Sequence, residues 1–395
     1  MKVRSLHATA LFVLAYLPCH LTSAQDEPSD YIQAIQGIQT QSSERLGDFT
    51  IDELLQELDV PGVSIAVIKD FRIHWAKAYG IADKHTGKPV DINTKFQAAS
   101  ISKAVNAMAL LNAAEDGLID IDTNINHYLS SWEIPHSEYT QNSVVTAKML
   151  ASHISGLGDG LGFPGYEPDD QIPTLVQILD GEEPAKTRAV RMARPPGSAY
   201  HYSGGGSTIL QLALIDIYKL PYDVILMQNV LEPLGMTNST FAQPLSAELD
   251  INAARAHTQS GIVERHKWNV YPELAAAGLW TTPTDLAIFL IESQLSLRGE
   301  SNIVLTATST EQMMSPVGVG PHAVGYTITK HGEGWYFGHG GSNHGFRANM
   351  AAHKTKGYGY VVMTNSSQGS LLISELGRRI QAAYSWDSLD QPVRR

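Results

Sequence analysis

Apolar positions in the first folded stretch repeat at helical spacing. Ile51, Leu54, Leu55 and Leu58 share one face, and Asp52 and Glu53 put acidic charge in the first turn, where the helix dipole favours it. Pro61 and Gly62 stop that helix. The period then drops to two. Val63, Ile65 and Val67 alternate with small or apolar residues, Lys69 and Asp70 form a turn, and residues 72–79 alternate again, which predicts a β-hairpin. After Ser100 the pattern returns to helical, with Val105, Met108, Ala109 and Leu110 in an apolar helix closed by Asp116 and Gly117.

From about 104 to 295 the pattern is mostly helical, broken by Gly- and Pro-containing loops at 155–165, 195–206 and 233–235. Short alternating runs return at 323–330, 335–339, 345–353 and 357–364 and read as an antiparallel meander, and 371–383 closes as an amphipathic helix. Strands at both ends with helices between predict an α+β fold: one antiparallel sheet built from the two ends of the chain, with a large helical region inserted at 104–295. The chemistry-bearing domain is expected over 44–385, after a loose lead-in at 25–43 holding at most one short helix, and before a tail at 386–395.

The chain has 395 residues, 43% hydrophobic and 17% charged, the composition of an ordinary globular protein. Lys2 and Arg4, the apolar run 11–17 and the small residues Thr22, Ser23 and Ala24 read as a secretory signal over 1–24, implying export to a periplasm or beyond the cell. Cleavage after Ala24 would remove Cys19, the only cysteine, so neither a disulfide nor a cysteine nucleophile is expected. No run reaches the length of a membrane span. A net charge of −12 argues against nucleic acid and anionic membranes as partners.

Ser100, Ile101, Ser102 and Lys103 form S-x-x-K at a helix start. Three residues are nearly one turn, so hydroxyl and amine share a face, and an amine made less basic by desolvation can take the serine's proton. The orphan N–H groups at the helix N-terminus suit an oxyanion. Alone the motif is weak, because chance supplies roughly one per chain of this length. A Ser N-cap with a surface Lys is the competing reading. Residues 196–210 read PGSAYHYSGGGSTIL, where Tyr202 and Ser203 precede Gly204, Gly205 and Gly206. His339, Gly340 and Gly341 end a predicted strand, and glycines there leave a sheet edge open for a substrate to pair with; Gly345, Phe346 and Arg347 follow.

In order and character these motifs resemble the serine β-lactamase-related family of class C β-lactamases, D-alanyl-D-alanine carboxypeptidases and family VIII-type esterases. LASHISGLG at 150–158, LEPLGM at 231–236 and AGLWTTPTDLAIF at 277–289 match the same family's style, and the resemblance covers about 51–383. It implies Ser100 as acyl-enzyme nucleophile, Lys103 as its proton partner and Tyr202 as a second base. The backbone N–H groups of Ser100 and Ser342 would make the oxyanion hole, and His339, Gly340, Gly341 and Gly204 would meet the substrate. It implies no metal and no organic cofactor.

Two positions depart from the family pattern. Gly204 stands where the family usually has an Asn that holds an acylamino group. His339 stands where a Lys meets a substrate carboxylate, and a histidine is mostly neutral near pH 7. Both departures favour an ester or small-amide substrate, or a short peptide, over penicillins and cephalosporins. Arg347, on the next strand, is expected to restore positive charge near His339. A true β-lactamase and a binding or scaffold protein of the same fold are the alternatives. A Ser-His-Asp hydrolase is disfavoured by the absence of G-x-S-x-G, and a zinc hydrolase by the absence of H-E-x-x-H. Oligomeric state is not legible in these features.

Overall fold

A computed structural model describes residues 27–39, 45–160, 162–258 and 266–389. The expected signal over 1–24, with Cys19, lies outside the described residues.

The chain opens with α1 (Pro28–Gln36) and α2 (Ile51–Glu57), the latter held by a capping box between Thr50 and Glu53. The hairpin follows as β1 (Gly62–Lys69) and β2 (Arg72–Asp83). Its turn residues are Asp70 and Phe71, both left-handed (φ 53° and 58°), one position later than the sequence suggested. Next come β3 (Lys88–Pro89), β4 (Phe96–Gln97) and the long α3 (Ser102–Glu115).

The inserted region carries α4 (Ala147–Ala151), α5 (Leu175–Asp180), α6 (Gly204–Tyr218), α7 (Tyr222–Leu226), α8 (Ala247–Asp250), α9 (Leu274–Ala277), the two-residue β5 (Trp280–Thr281) and α10 (Pro283–Leu297). Most of its helices are short and separated by long irregular segments, so it is less helical than its apolar pattern suggested. After α11 (Ala307–Met314) the meander runs through β6 (Thr327–His331), β7 (Gly334–Asn343), β8 (Phe346–His353) and β9 (Gly359–Thr364), and α12 (Gly369–Ala383) follows.

The main sheet has the order β3-β2-β1-β9-β8-β7-β6, and every pair in it is antiparallel. The hairpin from the start of the chain and the meander from its end join at β1 and β9, with Ala66 opposite Val361. This is the α+β architecture read from the sequence. β1 is buried on both faces, which its alternation explains: Val63, Ile65 and Val67 pack with α2 and α12 residues such as Leu54 and Leu376, while Ala66 and Ile68 enter the larger core with α3 and α10. The sheet is thus the middle of three layers.

Packing continues past position 385. Trp386 is buried against Tyr358 and Tyr360, and Asp387 accepts hydrogen bonds from the Tyr336 and Tyr358 hydroxyls, so the start of the expected tail belongs to the fold. Among the described residues no helix is long and apolar enough to cross a membrane.

Candidate active site

Ser100 sits in a 3₁₀ turn, Ala99–Ile101, that leads into α3. Ala99 is left-handed (φ 50°), a conformation that strains an L-residue, and Ser102 holds it there: its hydroxyl donates to the Ala99 carbonyl (2.6 Å) and accepts from the Leu279 N–H (3.0 Å). Ser102, between the two chemical residues of the motif, is therefore a buried brace. Ser100 itself is half-buried and lines the cleft.

Lys103 is buried. Its Nζ donates to Ser100 Oγ (3.2 Å) and to the Ala276 carbonyl of α9 (2.8 Å), and it lies 5.0 Å from the centre of the Tyr202 ring. No carboxylate pairs with it among the described residues. The competing reading of a surface lysine is thereby removed.

Tyr202 is positioned by clamps on either side. The Ser203 hydroxyl caps α6 by accepting from the Gly206 N–H (2.8 Å) and donates to Asp159 Oδ1 (2.6 Å), while Asp159 Oδ2 accepts from the Gly205 N–H (2.8 Å). The Ser203 N–H donates to His153 Nδ1 (3.2 Å), which places a neutral His153's proton on Nε2, and the His153 ring lies 4.2 Å from that of Tyr202. His153 and Asp159 both come from the loop after α4. His153 falls within the 150–158 phrase of the sequence and Asp159 just beyond it, but neither was assigned a place at the site, because side chains that act through one loop on another leave no periodic signal.

The third motif lies on β7. β6 pairs with β7 only as far as Gly338, so the strand from His339 to Asn343 has no strand partner on that side, and this is the open edge the glycines suggested. Gly341 is required by close approach: a Cβ there would lie 2.1 Å from the Ala98 carbonyl, beside the turn that holds Ser100. Asn343 ties the strand end down by donating to Gln97 Oε1 (2.8 Å) and the Ala277 carbonyl (3.1 Å), which fixes Ser342 at the cleft.

His339 is buried, with Nδ1 2.6 Å from the Gly340 carbonyl and Nε2 without a partner. Burial, reinforced by Lys103 and His322, pushes its pKa down to about 3. His322, its ring 5.9 Å away, is pushed down to about 4 by burial and Lys103, and burial with His322 and Lys103 holds His153 well below the usual histidine range. Three neutral imidazoles therefore surround the Lys103–Tyr202 pair.

This arrangement has a consequence for stability. All three histidines bind protons more readily in the unfolded chain, so their contribution is fully present above pH 6.5 and is lost as pH falls toward their folded values. Each can contribute a slope of up to about 1.4 kcal/mol per pH unit. His322→Asn is expected to flatten the fall in unfolding free energy between about pH 6 and 4, read from urea titrations at several pH values. An unchanged slope would refute this assignment.

Arg347 corrects an expectation. It pairs with Ser342, whereas His339 pairs with Met350, three positions along the ladder and on the opposite face of the pleat. Arg347 does not stand beside His339. Its Nη1 donates to the Asn343 (2.8 Å) and Phe346 (2.7 Å) carbonyls, and it lines the cleft at the Ser342 end.

These residues enclose a cleft of about 950 Å³ holding Ser100, Tyr202, His339, Gly340, Gly341 and Ser342. Gly204 is buried beside it, beneath the ring of Phe163. Phe163, Pro164, Asn343, Arg347, Asn349 and Ser370 also line the cleft. No Asp or Glu lines the cleft among the described residues. Just behind it Glu273 is fully buried, and neither carboxylate oxygen has a partner; burial pushes its pKa up to about 8. Nothing in the local sequence pattern marks it.

An S-x-x-K serine and lysine facing a tyrosine and an open strand edge, beside an antiparallel sheet flanked by helices, fit the β-lactamase fold of a serine hydrolase family. The chain belongs to the beta-lactamase family, whose model matches residues 48–384.

The protein flp of Staphylococcus aureus (strain MW2) is 23% identical over 332 residues, which is 82% of this chain and 64% of that protein, so the chain spans just under two thirds of the curated relative it matches. The D-amino acid amidase from Ochrobactrum anthropi SV3, solved with D-phenylalanine, aligns with a TM-score of 0.69 at 20% identity, covering 90% of this chain and 99% of that one. The D-alanine carboxypeptidase AmpC from Burkholderia cenocepacia aligns equally well at 18% identity, with the same coverage of 90% and 99%. At such identities these two structures speak to the fold.

Proposed function

We propose that the protein hydrolyses esters, and secondarily small amides, through an acyl-Ser100 intermediate. The observation that carries this reading is Lys103 Nζ 3.2 Å from Ser100 Oγ, in a cleft that also holds Tyr202 and the free edge of β7. Ser100 Oγ bonds to the acyl carbon, and its proton passes to the Lys103–Tyr202 pair. The carbonyl oxygen gathers negative charge against the N–H groups of Ser100 and Ser342. Collapse expels the alcohol or amine, which takes the proton from the pair. Water then adds to the acyl carbon with Tyr202 as base, and release of the acid restores the Ser100 hydroxyl.

Substrate preference follows from the walls. His339 is uncharged and Gly204 has no amide, which weakens the grip on a carboxylate and on an acylamino group, the handles of penicillins and cephalosporins. The relative named a D-amino acid amidase suggests amides of free amino acids. The described cleft, however, has no acidic side chain to meet their ammonium group, which ranks esters and neutral-acyl amides first. A carboxypeptidase-like activity is the second reading, favoured by Arg347 at the Ser342 end of the cleft.

A panel of short-chain p-nitrophenyl esters, D-alanyl peptides and a chromogenic cephalosporin tests this. Clear ester turnover with slow or absent cephalosporin turnover is expected. Fast cephalosporin hydrolysis would overturn the weight placed on Gly204 and His339. Export belongs to the same reading, and an N-terminus found at Met1 in protein recovered from the producing cells would refute it.

A further inference from the structure

Phe163 belongs to none of the three motifs, yet its ring forms a wall of the cleft that holds the nucleophile. The ring rests on Gly204: a Cβ at 204 would lie 2.6 Å from Phe163 Cε2 and 3.1 Å from Cζ, so the absent side chain is what gives the ring its seat. Behind, Phe163 packs on Tyr271, Ala276 and Ala277, and the Ala276 carbonyl is the one that holds Lys103. The flanking Gly162 and Gly165 are both left-handed (φ 71° and 74°), which lets the short loop turn the ring into the cleft. The lining also includes Ser342, Asn343, Arg347 and Asn349 from the sheet end of the cleft. The cleft lining therefore combines an apolar ring from this loop with polar groups from the sheet, and it includes Ser100.

We propose that Phe163 is a specificity-determining residue whose ring, seated on Gly204, receives an apolar acyl chain. The preferred substrates are then esters or neutral amides of aliphatic acids with butyryl or longer chains. This deepens, and rests on, the acyl-Ser100 reading. Each methylene that slides onto the ring leaves water, which raises kcat/KM by up to about fourfold per group.

The test compares two series of substrates: p-nitrophenyl acetate, butyrate and hexanoate, in which only the acyl chain grows, and acetate esters of lengthening alcohols. Ratios of kcat/KM within one enzyme preparation cancel any loss of folded protein. In the wild type the hexanoate-to-acetate ratio is expected to exceed about tenfold. Phe163→Ala is expected to bring it within about twofold. Gly204→Ala keeps the ring but pushes it off its seat, and is expected to lower the same ratio.

A ratio unmoved in both variants overturns the proposal, as does a loss of discrimination confined to the alcohol series. Intact mass separates the two levels of the argument. If wild-type protein forms no acyl-Ser100, the reading of function fails. If it forms one while the ratio stays fixed, only the role of Phe163 fails.

Discussion

Ser100→Ala is expected to lower ester turnover by at least about 10⁴-fold and to abolish covalent labelling by a fluorophosphonate, read as the loss of the adduct in intact mass. The magnitude follows from the division of labour proposed for the cleft. Without Oγ, water must attack directly, and only the oxyanion donors and the binding walls remain to assist it. Lys103→Met should approach the same loss. Its Nζ is the amine within 3.2 Å of Oγ, and the three imidazoles near it are held neutral largely by burial. Wild-type protein that takes no label and turns over no ester would favour a binding protein that keeps the fold without the chemistry.

The largest effect on stability is expected far from the cleft. Arg379→Met should lower the unfolding free energy by about 3–5 kcal/mol, measured as a shift in the urea midpoint. The Arg379 side chain is fully buried on α12. It donates to Glu375 Oε1 (2.7 Å) and to the carbonyls of Ile35 (3.2 Å), Gly37 (3.1 Å), Leu46 (2.9 Å) and Phe49 (2.8 Å). Methionine fills the volume and takes the guanidinium from the carbonyls of Ile35, Leu46 and Phe49, although Gly37 keeps the Gln39 amide as donor and Arg378 still pairs with Glu375. Arg379→Lys should recover little, since three ammonium hydrogens cannot replace a planar fork with five donors. A midpoint shift below about 1 kcal/mol would show that these carbonyls find water instead.

What could be read in the sequence is what a repeating period encodes. β1, β2 and the meander alternate because each is covered on one or both faces, and α2 and α12 keep an apolar stripe against the sheet. The two-residue strands β4 and β5 are too short to hold a period and were not foreseen, although Phe96 and Gln97 on one of them lead directly into the turn that holds Ser100. Ser100 and Lys103 stood out in the sequence by their spacing, and Tyr202 and His339 by the glycines that follow them; the fold brings all four to one cleft, Lys103 through its bond to Ser100. Phe163, Asp159, His322 and Glu273 did not stand out, since each reaches the site from a loop or helix end through contacts distant in sequence. Arg347 was legible as a residue and misplaced in space, because only the register of β7 against β8 decides which face of the pleat it occupies.

The pairing of β1 with β9 sets a condition on how the cleft is completed. The helix that follows Ser100 and the Tyr202 loop are synthesised well before β7, and the sheet that carries Ser342 cannot close until β9 has been made and has found β1 across nearly 300 residues of chain. Such long-range closure is slow, and it leaves open strand edges until it is complete. A complete cleft therefore reports that both ends have met: a chain cut short before β9 holds Ser100, Lys103 and Tyr202 but lacks the β1–β9 pairing that closes the sheet.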